Sequence, residues 1–95
     1  MPKEFTAQIA VRRGCGRWRL YVALLNTTAP WPERMFNRTV PTFTQRTEAL
    51  SALGYEPVPD ATWTWEEHGE THGDPSSPVF LFASIRVRSR AGVVA

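Results

Sequence analysis

The 95-residue chain carries a hydrophobic fraction of 42%, a charged fraction of 21% and a net charge of +2. A chain of this length makes one domain that buries about 65% of its unfolded surface, which leaves one small core and no cleft between lobes. An aromatic fraction of 12% excludes wholesale disorder, and the small net charge is unevenly placed, the ends of the chain being basic and its middle acidic.

Met1-Pro2-Lys3-Glu4 leads directly into an alternating pattern, without the apolar stretch of a secretory signal or a run long enough to cross a membrane. Cytoplasmic residence without membrane attachment is therefore expected, and a single cysteine, Cys15, fits a reducing compartment.

Residues 5 to 12 alternate, with Phe5, Ala7, Ile9 and Val11 on one face and Thr6, Gln8, Ala10 and Arg12 on the other. Arg13-Gly14-Cys15-Gly16 reads as a tight turn because glycine accepts positive φ. A second strand runs from Arg17 to Leu25, with Trp18, Leu20, Val22 and Leu24 opposite Arg17, Arg19, Tyr21 and Ala23. These segments predict a hairpin.

Residues 26 to 41 hold Pro30, Pro32 and Pro41, which interrupt strands and helices alike, yet Trp31, Met35 and Phe36 need cover. A docked loop with one helical turn near Pro32 is expected. Thr42 and Gln45 form a capping-box signature, and Phe43, Thr47, Leu50 and Leu53 make an apolar stripe. A helix over 43 to 53, closed by Gly54, follows.

Beyond a proline-spaced connector, residues 62 to 67 alternate again, with Trp63 and Trp65 on one side. A polar loop with His68 and His72 leads into a last strand over 78 to 88. This strand sets Val79, Leu81, Ala83, Ile85 and Val87 against Phe80, Phe82, Ser84, Arg86 and Arg88. Residues 89 to 95 read as a frayed tail. The predicted fold is one α+β domain over residues 1 to 95, a four-stranded antiparallel sheet in ββαββ order with one helix on a face.

Glu48-Ala49-Leu50-Ser51-Ala52-Leu53-Gly54-Tyr55, Ala61-Thr62-Trp63-Thr64-Trp65-Glu66, Asp74-Pro75-Ser76-Ser77-Pro78-Val79 and the leading Arg17-Trp18-Arg19-Leu20-Tyr21-Val22 resemble a family of small uncharacterised actinobacterial proteins. The resemblance implies a source lineage and a cytoplasmic setting, and carries over no active site.

Catalytic chemistry finds no purchase. Cys15 lies among Arg12, Arg13 and Arg17, which favour thiolate, but no base is committed to it. Ser76 and Ser77 lack a nucleophile-elbow context, and no phosphate-cradling glycine loop occurs. The loop Glu67 to Asp74 concentrates metal-ligand types, but Gly69 and Gly73 disfavour the helix that His-x3-His ligation needs. It reads as a solvated loop, and no metal or cofactor is expected. Trp63 and Trp65 could form a stacking platform or simply fill the core.

The face opposite the helix is the candidate site. It gathers Arg12, Arg17, Arg19, Arg86 and Arg88 around Tyr21, Phe80 and Phe82. Guanidinium groups with rings suit phosphate and base recognition on a sheet. Against this, residues 46 to 77 are acidic, and the arginines could pair with carboxylates across strands or across a dimer. A non-catalytic binding or regulatory module is the resulting expectation, acting through self-association or a protein partner. Nucleic-acid binding by the same face is the alternative.

Overall fold

In the computed structural model, residues 3–11, 16–25, 27–69 and 71–90 are described. Six strands and one helix follow in chain order: β1 (Glu4–Val11), β2 (Trp18–Ala23), β3 (Glu33–Met35), α1 (Phe43–Ala52), β4 (Tyr55–Pro57), β5 (Thr64–Gly69) and β6 (Val79–Ser89). The strands form one antiparallel sheet ordered β3-β2-β1-β6-β4, with β5 pairing β6 on the same side as β4.

The fold remains α+β, but the expected four-stranded ββαββ sheet is corrected to a six-stranded, curled half-barrel. Two short strands account for the difference. The loop 26–41 contributes β3 rather than a helical turn at Pro32: Pro32 O accepts from Val22 N at 3.0 Å, and Phe36 N donates to Trp18 O at 2.8 Å. Proline lacks an amide hydrogen but keeps its carbonyl, so it can sit beside an edge strand as an acceptor. The connector after the helix contributes β4, with Val58 N donating to Arg86 O.

β6 is long enough to hold two partners along one side. Its first half pairs β5 from Val79↔Gly69 to Ser84↔Thr64, and its last residues pair β4 from Val87↔Pro57 to Ser89↔Tyr55. Of the tail expected over residues 89 to 95, the first two residues are tied down. Ser89 is in the strand, and Arg90 donates its N–H to Gly54 O at 2.9 Å and a guanidinium hydrogen to Ser51 Oγ at 3.1 Å. The first turn, Arg13 to Cys15, and the residues beyond Arg90 lie outside the described residues.

Alternation sends Ala7, Ile9, Trp18, Leu20, Val22, Ala83, Ile85 and Val87 to one face, where they meet Leu50 of α1 as a buried cluster. The helix starts as its sequence dictates: Thr42 Oγ1 accepts from Gln45 N at 3.1 Å, and Gln45 Oε1 accepts from Thr42 N at 2.8 Å. Gly54, at φ 95°, turns the chain in a conformation that disfavours side chains and lets β4 follow at once.

Trp63 precedes β5 and packs half-buried against the core, whereas Trp65 lies within the strand and is 44% exposed. The two tryptophans expected on one strand face therefore take separate structural roles. Trp65 meets Trp18 edge to face, with ring centroids 6.1 Å apart. The molecule extends 47 × 29 × 26 Å. An eleven-residue strand such as β6 spans about 36 Å, so the β5–β6 hairpin runs along the long dimension and outreaches the ten-residue helix.

Candidate functional site: the sheet face opposite the helix

Strand register orders the side chains opposite α1 into rows. One row runs Met35, Arg19, Ala10, Phe82, Glu66; the next runs Glu33, Tyr21, Gln8, Ser84, Thr64. Ala23, Thr6 and Arg86 form a third, and Glu4, Arg88 and Glu56 a fourth. Phe80 and His68 stand opposite one another at the far end.

The structure thus brings Arg19, Tyr21, Phe80, Phe82, Arg86 and Arg88 onto one face, with none of them under the helix. Arg17, just before β2, is exposed and donates Nε to Phe36 O at 2.8 Å. Arg12 lies outside the described residues. Tyr21, Phe80 and Phe82 are half-buried by their neighbours on the sheet.

Each of the three strand arginines on this face has a carboxylate on an adjacent strand. Arg19 Nε pairs with Glu33 Oε2, Arg86 with Glu4 at 2.7 Å, and Arg88 with Glu56 at 3.6 Å. With Glu66 in the Phe82 row, four carboxylates stand against four guanidinium groups, counting Arg17. Opposite charges on neighbouring strands contribute only about 0.2–1 kcal/mol each at such exposure. Their larger effect is to cancel the positive field that an approaching phosphate would feel.

These partners could not be read from the sequence. Glu4 and Glu56 join Arg88 in one row only because β1 and β4 flank β6, and Glu33 reaches Arg19 only because the proline-rich loop contains a strand. Of the acidic stretch 46–77, Glu56 and Glu66 stand on this face. Glu67 projects from the helix side, in register with Leu81.

The aromatic groups are layered. Arg19 lies over Tyr21 with its guanidinium carbon 4.5 Å from the ring centre, and Tyr21 stacks on Trp31 at 5.8 Å. Trp31 Nε1 donates to Leu24 O at 2.9 Å, which docks the proline-rich segment beside this layer. Trp31 has no periodicity to mark it and was legible only as a residue needing cover. His68 meets Phe82 edge-on at 5.0 Å. Where β1 begins and β2 ends, the face opens into a cleft of about 360 Å³ whose lining includes Glu4, Arg86, Ala23 and Leu24.

A second cluster on the helix side was not anticipated. Arg46 of α1 lies within 4.9 Å of the Trp63 ring centre, 5.6 Å of Trp65 and 5.9 Å of Phe43. Burial lowers the Arg46 pKa from its ordinary value, since desolvation opposes the charged form. A helix residue flanked by an aromatic three positions earlier is a weak signal, and only the fold adds the tryptophans.

The loop after β5 folds on itself. Asp74 accepts from Ser76 Oγ at 2.7 Å and Ser76 N at 2.9 Å, and Ser77 Oγ donates to Asp74 O at 2.9 Å. The two bonds from Ser76 hold the Asp74 carboxyl below the usual carboxylate range, the side-chain hydroxyl contributing most. His68 and His72 border this loop. No group of three or more His, Cys, Asp or Glu placed to hold a metal ion occurs among the described residues.

No helix among the described residues is long and apolar enough to cross a membrane. No curated protein and no solved structure matches the chain significantly. Residues 3–95 match the profile of a family described as of unknown function, a match that brings no lineage with it, and the chain therefore belongs to that family, DUF6303.

Proposed function

We propose that the chain is a non-catalytic cytoplasmic binding module that engages protein, either a second copy or a different chain, through the sheet face opposite α1. Charge pairing on that face carries the proposal: Glu4, Glu33 and Glu56 already occupy Arg86, Arg19 and Arg88. Phosphate binding would have to displace them, whereas a protein surface can use paired charges as a polar rim around Tyr21, Phe80 and Phe82. Arginine and aromatic side chains are the groups enriched at protein interfaces.

Sedimentation velocity at two protein concentrations, with and without a mixed-sequence oligonucleotide at two salt concentrations, tests it. The expected result is no change on adding oligonucleotide, with any self-association insensitive to salt. Co-sedimentation with the oligonucleotide that disappears as salt rises would transfer the function to nucleic-acid binding.

A further inference from the structure

From the sheet edges we infer a second site: β5 is an acceptor strand that takes an extended, basic segment of a partner protein by adding it to the sheet. This site stands independently of the face proposed above.

The sheet ends on one side at β3, three residues preceded by Pro30 and Pro32. On the other side it ends at β4, which contains Pro57 and is followed by Pro59, and at β5. Prolines and short length are the devices that blunt an edge. β5 has neither: it is six residues without proline, every residue is exposed, and among the described residues no strand pairs its outer side. Backbone donors and acceptors on that side are open to another strand.

The side chains specify what that strand contains. Glu66 projects to the face opposite α1 and Glu67 to the helix side, and residues 47 to 77 hold seven acidic residues and no lysine or arginine. A second copy pairing β5 with β5 in antiparallel register would set these glutamates near each other, and like charges across strands repel. A basic strand reverses that sign. On the helix side, Trp65 is joined by Leu81 at 48% exposure and Val79 at 54%, both beyond the reach of α1. The incoming strand therefore alternates, with lysine or arginine on the Glu66 side and apolar residues on the Trp65 side.

Fluorescence anisotropy with labelled peptides of about eight residues, a typical strand length, tests this. The probes are an alternating lysine–valine peptide, its glutamate–valine counterpart, and the lysine–valine peptide carrying two prolines. Only the first is expected to bind, with new hydrogen-exchange protection at amides of Thr64–Gly69. Glu66→Lys, at an exposed position on the lysine side, should weaken it several-fold, because an attractive cross-strand contact becomes repulsive. Circular dichroism confirms that the variant is folded. Failure of the lysine–valine peptide to bind, equal binding of the proline peptide, or protection confined to other strands would overturn the inference.

Discussion

Trp18 of β2 and Trp65 of β5 touch edge to face at 6.1 Å although β1 and β6 lie between their strands. Strands separated by three pairings stand about 14 Å apart in a flat sheet. The contact therefore requires the sheet to curl around its helix side, and it passes over Ala83, the small β6 residue in register with Trp65. An edge-to-face pair contributes about 0.5–1.5 kcal/mol beyond its area.

Replacing these two tryptophans should have unequal effects. Trp18 is buried in the core cluster, so Trp18→Ala should cost about 3–5 kcal/mol, a large share of the stability of a small domain. Trp65→Ala, at a half-exposed site, should cost about 1 kcal/mol. Urea titrations of both variants and of the double variant measure the coupling, and strict additivity would show that the ring contact contributes nothing.

Helix α1 is held at two points that can be separated. Leu50 is its fully buried large residue, and Leu50→Ala should destabilise by about 2–5 kcal/mol. Thr42→Ala removes the cap and should cost about 1 kcal/mol. Thermal unfolding distinguishes them: equal losses would place the helix's stability in its cap rather than in its packing.

Pairing on the open face predicts a gain of function. Glu4→Gln, Glu33→Gln and Glu56→Gln together release Arg86, Arg19 and Arg88. The triple variant should acquire single-stranded oligonucleotide binding that falls with salt at a log–log slope of about −2, as for three neutralised phosphates. Fluorescence anisotropy across a salt series checks this. Equal behaviour of wild type and variant would deny the glutamates any screening role.

Asp74 makes an acid-range prediction. Its pKa is depressed in the folded chain, mainly by the Ser76 hydroxyl. The associated stabilisation is present above the unfolded value of about 3.9 and is lost as pH falls through the lower folded pKa. In Ser76→Ala the Asp74 carboxyl, followed by NMR, should titrate at higher pH than in wild type. An unchanged midpoint would remove the side-chain bond as the cause.

How much was legible depends on the range of the cause. Period-two segments placed β1, β2 and β6 within one or two residues of their observed bounds, and the Thr42–Gln45 capping pair located the helix start, because both signals lie within a few neighbouring positions. β3 and β4 escaped notice because three residues beside prolines carry no periodicity and become strands only when β2 and β6 offer them an edge. The window proposed for Trp63 and Trp65 began too early for the same reason: pairing with β6 starts at Thr64, and the strand continues to Gly69 through polar residues.

Alternation alone determined that Arg19, Tyr21, Phe80, Phe82, Arg86 and Arg88 would avoid the core face, since a pleated strand sends successive side chains to opposite sides. Tertiary structure alone decided which carboxylates answer those arginines, how far the helix reaches along β6, and that β5 pairs β6 on one side while no described strand pairs the other. These depend on strand order and register. Both arise from burying the two apolar faces against each other, a condition on the whole chain that no local window contains.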